Sequence, residues 1–323
     1  MAKCFSFTAS RDWCYRYTFT AAGLQSTTTD LGDGTTLHCW APRGPKPEKP
    51  ALLLIHGFGA NCMWQWSEQL RPLLACYNIY VPDLLFFGES VTTRPERSES
   101  FQAQCLMRLM ESMGVRTMSL VGISYGGFVG YSMAVQFPEA VERVVLCCTG
   151  VCLKEKDLEE GLFPVRDLGE AAEILTPQTP EKLRALVKLS FYRPPRAVPS
   201  CFLSDFIDVM CTDHVEEKRE LINSILKDRK HLELPKITQP TLIIWGEQDQ
   251  IFPLELAHRL KRFVWNVWMD CQKICRHLEE NAQMVVIKHA GHALNLEKSK
   301  EFCKHLKAFL IDSLHQDKSR KVE

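Results

Sequence analysis

The sequence has no excess of either charge: 39 Lys and Arg stand against 39 Asp and Glu in 323 residues. The basic footprint of a nucleic-acid binder is therefore missing, and no nucleic-acid partner is expected. There is no apolar run near the roughly 18 to 20 residues that cross a bilayer, so an integral membrane protein is not expected. The richest apolar stretches are short ones near 51–55 and 141–149. A secretory signal is also missing, and the 14 cysteines are scattered, with Cys147 and Cys148 adjacent. That excludes a disulfide framework as the expected scaffold and makes a reducing, cytoplasmic setting the expected one. The first twenty residues hold three basic residues against one acidic and several hydroxyls, which gives a faint organelle-targeting flavour. A frayed terminus is the plainer expectation. No internal repeat or low-complexity tract is present.

What is present is globular composition, 46% hydrophobic and 24% charged, which buries a core rather than staying disordered. Short apolar, β-branched runs recur between helical or turn-rich stretches, the pattern of a mainly parallel sheet covered by helices. Strands are expected near 27–31, 36–40, 51–56, 79–82, 118–123, 141–147, 241–245 and 284–288. The Pro- and Gly-rich stretch 41–50 reads as a loop leading into the first buried strand. From about 150 to 240 one strand-to-strand step is far longer than usual, and helical periodicity at 170–175, 180–189, 202–210 and 215–226 marks an inserted helical cap. The expected organisation is an N-terminal extension (1–26), an α/β core (27–149 and 236–312), a helical cap (150–235) and a C-terminal tail (313–323).

The sharpest chemical signal is Gly122-Ile123-Ser124-Tyr125-Gly126, a G-x-S-x-G that ends the run MSLVGI and opens the helical run GFVGYSMAVQF. Such a strand-to-helix turn holds a serine hydroxyl exposed in front of a helix N-terminus. By itself the pentapeptide fits an idle serine on a glycine-rich turn equally well. Its partners argue otherwise: Asp249 follows the run TLIIWG and His292 follows MVVIKH, in the chain order nucleophile, acid, base. Both are expected on loops at the C-terminal edge of a parallel sheet, where open α/β folds gather their ligands. In this arrangement His292 takes the proton from Ser124, and Asp249 fixes the imidazole tautomer. Glu247 is a rival acid, and His289 with His292 has a spacing that hints at metal, but no third ligand is evident and no metal or cofactor is expected. After the run ALLLI, the turn His56-Gly57-Phe58-Gly59 is expected to supply the Phe58 N–H to an oxyanion hole shared with the Tyr125 N–H, with His56 bracing the turn.

HGFG, GISYGG, WGEQDQIFP and AGHALNLEK together resemble the α/β-hydrolase fold superfamily, over about 27–312. Within it the sequence is similar to the monoacylglycerol-lipase-like and meta-cleavage-product-hydrolase branch, and to plant members of the superfamily. The resemblance implies an eight-stranded, mostly parallel sheet flanked by helices with an inserted helical cap. It also implies Ser124 as nucleophile, Asp249 as acid, His292 as base, and Phe58 and Tyr125 as oxyanion donors. Carbon–carbon bond hydrolases of the branch carry Asn before the serine and an aromatic residue soon after the histidine. Ile123 and Ala293 stand there, which makes that activity the runner-up to ester cleavage. Acyl transfer to an alcohol, which uses the same residues, and non-turnover reception of a small ligand stay open on the same fold. For the expected small-molecule ester, Phe86 and Phe87 of PDLLFFGES and the apolar stripe Phe202, Phe206 and Met210 are candidate pocket residues. Arg193 and Arg196 are candidates for a polar end. Segment 263–276 reads as an insertion between acid and base. Its stripe Phe263, Val264, Val267, Trp268, Cys271 and Ile274 either packs on the body or, like the cap, touches a membrane or partner.

Overall fold

The computed structural model describes residues 6–165, 167–226, 234–271 and 282–312, and for 265–271 and 312 the backbone alone. The chain opens with helix α1 (Phe7–Ala21), followed by strands β1 (Leu24–Asp30), β2 (Thr35–Pro42) and β3 (Ala51–Ile55). Two short helices, α2 (Cys62–Trp66) and α3 (Leu70–Leu74), lead to β4 (Asn78–Pro82), the two-residue β5 (Val91–Thr92), helix α4 (Glu99–Ser112) and β6 (Met118–Ile123). Helix α5 (Tyr125–Gln136) and β7 (Val141–Cys147) follow. Next come five helices without a strand: α6 (Glu155–Glu159), α7 (Leu168–Leu175), α8 (Pro180–Ser190), α9 (Ser200–Met210) and α10 (Val215–Ser224). The chain then returns through β8 (Thr241–Gly246), α11 (Leu254–Cys271), β9 (Ala282–Ile287), α12 (Leu294–Glu297) and α13 (Ser299–Lys307).

The strands form one sheet in the order β1-β2-β4-β3-β6-β7-β8-β9, with β5 attached to β2. From β4 to β9 the pairing is parallel, while β1 and β2 join antiparallel. The path of eight strands is the expected one, and the tiny β5 adds a ninth. Every residue of β3, β6 and β8 is buried, because helices cover both faces of a parallel sheet and leave no side for water. At the edge, β1 instead buries only Leu24 and leaves its other residues exposed or half-buried. Helix α5 is apolar all round and accordingly sits buried against β6 and β7. The inserted helices start where the sequence supplies caps: the Asp167 side chain accepts the Glu170 N–H, and Thr179 accepts the Lys182 N–H just ahead of Pro180. Leu183, Leu186, Leu203, Ile207 and Cys211 form a small apolar cluster of their own, separate from the main core.

One expectation needs correction, and one alternative left open narrows. The terminus does not fray after residue 5: Ser6 caps α1, and the helix is pinned from two sides. Asp205 of α9 accepts the Thr8 N–H at 2.8 Å, while Asp12 accepts from Asn61 Nδ2 and Trp64 Nε1, both at 3.0 Å. Within segment 263–276, α11 simply continues to Cys271, and Phe263 and Val264 pack on the main core instead of joining an exposed patch. Residues 272–276, with Ile274, and the side chains of Val267, Trp268 and Cys271 lie outside the described set. Among the described residues no helix is long and apolar enough to cross a membrane.

Where the chain leaves the sheet toward the cap, Asp157 of α6, 2% exposed, accepts from Arg259 of α11 at 2.6 and 2.8 Å and from the Lys154 N–H at 2.7 Å. Burial opposes its charge, but Arg259 and that N–H outweigh the penalty and hold the carboxyl below its ordinary range. Arg259→Met strands a buried carboxylate and is expected to cost about 3 kcal/mol. A lowered carboxyl stabilises above its unfolded value, and that contribution is lost as pH falls through the folded one. The gap between wild type and variant in urea midpoint should therefore be wide at neutral pH and narrow on acidification. A gap that is absent at neutral pH rejects the assignment.

Candidate active site

Ser124 is held at φ 55° and ψ −122°, a conformation that only a turn fixed on both sides forces on a residue with a Cβ. The flanking glycines show what fixes it. A Cβ on Gly122 would lie 2.3 Å from the Gly126 carbonyl oxygen, and one on Gly126 would lie 2.3 Å from that of Ile55. Only hydrogen fits at either position, so β6, the turn and α5 pack at backbone distance and lift Ser124 out at the sheet edge. The Ser124 hydroxyl is hydrogen-bonded to none of the described residues.

Asp249 and His292 meet at the same edge, after β8 and β9. His292 Nδ1 donates to Asp249 Oδ2 at 2.9 Å, with Oδ1 at 3.1 Å, and Asp249 Oδ1 also accepts the N–H groups of Ile251 and Phe252, each at 2.9 Å. Three donors on one carboxylate fix its plane. The Asp249 side chain is fully buried, whereas that of His292 keeps 12% exposure toward the cleft. A relay of rings joins acid, base and elbow: Phe252 lies 5.7 Å from His292 and 5.9 Å from Phe128 of α5, which lies 6.2 Å from Tyr125.

The oxyanion-loop candidates are brought to the serine. A Cβ on Gly57 would stand 2.7 Å from Ser124 Cβ, so the loop runs directly over the nucleophile candidate, and the Phe58 and Tyr125 rings meet edge to face at 5.2 Å. His56 braces this loop: it is fully buried, donates from Nδ1 to Gly57 O at 2.7 Å, and accepts the Leu84 N–H at Nε2 at 2.9 Å. Burial pushes its pKa down, in keeping with that neutral tautomer. Beneath it, Asp83 bonds His38 Nδ1 at 2.8 Å and the Cys62 N–H at 2.9 Å, and a Cβ on Gly88 would collide with its carboxylate at 2.2 Å.

Gln65, Glu297 and Cys148 position the site, and sequence reasoning missed all three. The Gln65 side chain accepts the Gly57 N–H at 2.8 Å and donates to Gly57 O, Phe58 O and Ala60 O, while its backbone carbonyl accepts from Asn295 just past His292. Glu297 accepts the Gly291 N–H at 2.7 Å and the N–H groups of Tyr192 and Arg193, tying the His292 loop to the cap. Cys148, fully buried and at φ 44°, places Sγ within 4.8 Å of ligand atoms of both Asp249 and His292. Burial first, then the Asp249 charge, pushes its thiol well above the ordinary range, so it stays a neutral S–H. The rival acid and base turn elsewhere: Glu247 accepts the His289 N–H at 3.2 Å, and the His289 ring lies on Tyr192.

The pocket candidates separate. Phe86, at φ 74° and 1% exposed, packs under the Arg97 guanidinium and beside His214. Phe202 and Phe206 line an outer groove of about 500 Å³ against α1 and Trp64, whose lining includes none of Ser124, Asp249 and His292. Phe87 and Met210 border a small cavity beside Phe58. The Arg193 guanidinium lies over Tyr192. An apolar cavity of about 70 Å³ that the sequence did not reveal adjoins the acid loop through Ile251 and Phe252 and is walled by Leu158, Phe163, Leu175 and Ile222.

Comparison with known proteins agrees with this fold. Residues 52–305 match the model of the alpha/beta hydrolase family. The chain is 25% identical to Monoacylglycerol lipase ABHD6 of Homo sapiens over 88% of its length and 82% of the relative's. It is 26% identical to Lipase 3 of a Moraxella species, over 80% and 76% of the two chains. Among solved structures it resembles the meta-cleavage product hydrolase of Pseudomonas fluorescens, at TM-score 0.68 and 19% identity over 91% of this chain and 99% of that one. An esterase of Exiguobacterium antarcticum superposes equally well, at TM-score 0.68 and 19% identity over 91% and 99%. With the family match spanning most of its length, and the elbow and parallel sheet in place, the chain belongs to the alpha/beta hydrolase family.

Proposed function

We propose that the chain is a serine hydrolase that cleaves the carboxylic ester of an apolar small molecule or lipid. Ser124 Oγ attacks the carbonyl carbon while His292 takes its proton, and the N–H groups of Phe58 and Tyr125 receive the charge that develops on the carbonyl oxygen. His292 gives that proton to the departing alkoxide, leaving an acyl-enzyme, and then activates the water that releases the acid. The observation that carries this reading is the bond from His292 Nδ1 to Asp249 at 2.9 Å, at the sheet edge where Ser124 is held in its strained turn. With Nδ1 engaged as donor, the other ring nitrogen is left as the proton acceptor. Lipase relatives favour an ester substrate, and the apolar cavity next to Phe252 favours an apolar portion. Labelling by a fluorophosphonate, followed by turnover of esters of graded acyl length, tests the reading. A folded chain that neither labels nor turns over any ester rejects it.

In this mechanism Cys148 steadies Asp249 by donating its S–H. Cys148→Ala is expected to lower kcat about fivefold, the worth of one net hydrogen bond of about 1 kcal/mol, with Cys148→Ser restoring most of it. Equal losses in both variants, at unchanged melting temperature, speak against the donor role.

A further inference from the structure

Lys218 is the odd residue of the cap. It stands on the buried face of α10 together with Leu221 and Ile222, and it is 7% exposed. Among the described residues its ammonium has one acceptor, the Asp213 carbonyl oxygen at 2.8 Å, and no carboxylate lies within ion-pair distance. An ammonium carries three donors, so two N–H groups lack a protein acceptor. Glu217 is turned to His214, 3.7 Å away. Burial pushes the Lys218 pKa down, the mark of a charge kept from water without a full counter-charge.

What this cation faces is the wall of the candidate oxyanion loop. Nζ lies 5.0 Å from the centre of the Phe87 ring, which in turn meets Phe58 at 5.1 Å and His56 at 5.0 Å. Lys218 lines the cavity of about 10 Å³ bordered by Phe58, Gly59, Ala60, Phe87 and Met210. A space of that size holds about one water-sized atom, such as a single carboxylate oxygen. The candidate oxyanion loop is thus flanked by a buried cation, while the acid loop opens on an apolar cavity.

We infer that Lys218 binds a carboxylate carried by the substrate, so that the site selects esters with one apolar portion and one anionic end. The word substrate rests on the ester-hydrolase reading above. The anion supplies acceptors to an ammonium that is 7% exposed, where a charged hydrogen bond is stronger than in bulk water.

The test compares monomethyl esters of dicarboxylic acids with methyl esters of monocarboxylic acids of the same chain length. In the wild type kcat/KM is expected to favour the carboxylate-bearing member at the best-fitting length. Lys218→Met, which keeps the shape of the stem and removes the charge, is expected to cut that preference at least about tenfold, mainly through KM, while Lys218→Arg retains part of it. A wild type that prefers the neutral ester at every length, or a preference that survives Lys218→Met, overturns the inference and leaves a water as the ammonium's ligand. A second arm needs no turnover: in Ser124→Ala protein, hexanoate but not hexanol should raise the melting temperature, and the rise should vanish when Lys218→Met is added. Equal shifts with and without Lys218 also overturn it. Failure of the ester-hydrolase reading shows differently, as loss of turnover on both ester series with the hexanoate response intact.

Discussion

Ser124→Ala is expected to abolish fluorophosphonate labelling and to lower ester turnover by more than about a thousandfold, because nucleophile, base and acid act as a unit and loss of one removes nearly the whole effect. The fold should survive. Alanine keeps the Cβ that Gly57 approaches, and the strained backbone at φ 55° is imposed by the backbone contacts of Gly122 and Gly126, not by the hydroxyl. The hydroxyl makes no hydrogen bond to the described residues, so its removal orphans no partner. The melting temperature should therefore move by no more than a few degrees, the scale of about 1 kcal/mol. Wild-type-like turnover by a folded Ser124→Ala protein would mean that the elbow carries an idle serine after all.

The parts of this molecule that rest on short-range pattern were legible in the sequence. Strands β3, β6 and β8 are nearly continuous apolar runs, and a fully buried parallel strand can be little else. The elbow was legible because each of its glycines answers to a backbone contact that tolerates no side chain. Helix α1 was not, since only Thr8 and Phe19 along it are buried. It is held by Asp205, Asn61 and Trp64, whose partnership no local periodicity encodes. Gln65 and Cys148 escaped because no periodicity encodes their partners: Gln65 folds back on the turn of residues 57–60, and Cys148 comes near Asp249 and His292 on loops distant in sequence. Lys218 did leave a signal. Its spacing of three and four from Leu221 and Ile222 sets a lysine on the apolar face of a helix, and charge on that face needs a partner or a purpose. The pocket residues were read by type, as two loop phenylalanines and an apolar helical stripe, whereas the placement of that stripe depends on how α9 packs against α1 and α8, a tertiary fact.

His292→Gln is expected to remove turnover about as completely as Ser124→Ala, and to remove with it the fall in rate on the acid side. The sign follows from the mechanism. His292 must be neutral to accept the Ser124 proton, so lowering pH fills the acceptor and kcat/KM drops, while raising pH through that ionisation restores it. Asp249 cannot substitute, because its oxygens are occupied by the N–H groups of Ile251 and Phe252 and by His292 itself, and its side chain is fully buried. His289 is the control. It sits at the end of β9 with its backbone N–H on Glu247 and its ring on Tyr192, so His289→Gln should leave both the rate and the acid limb nearly unchanged. A glutamine at 292 keeps hydrogen-bonding capacity toward Asp249 but has no basic nitrogen, which isolates proton transfer from loop position. A pH–rate profile on wild type and both variants decides the matter. If the acid limb vanishes with His289→Gln and persists with His292→Gln, the base is misassigned and the Asp249–His292 pair is a structural brace.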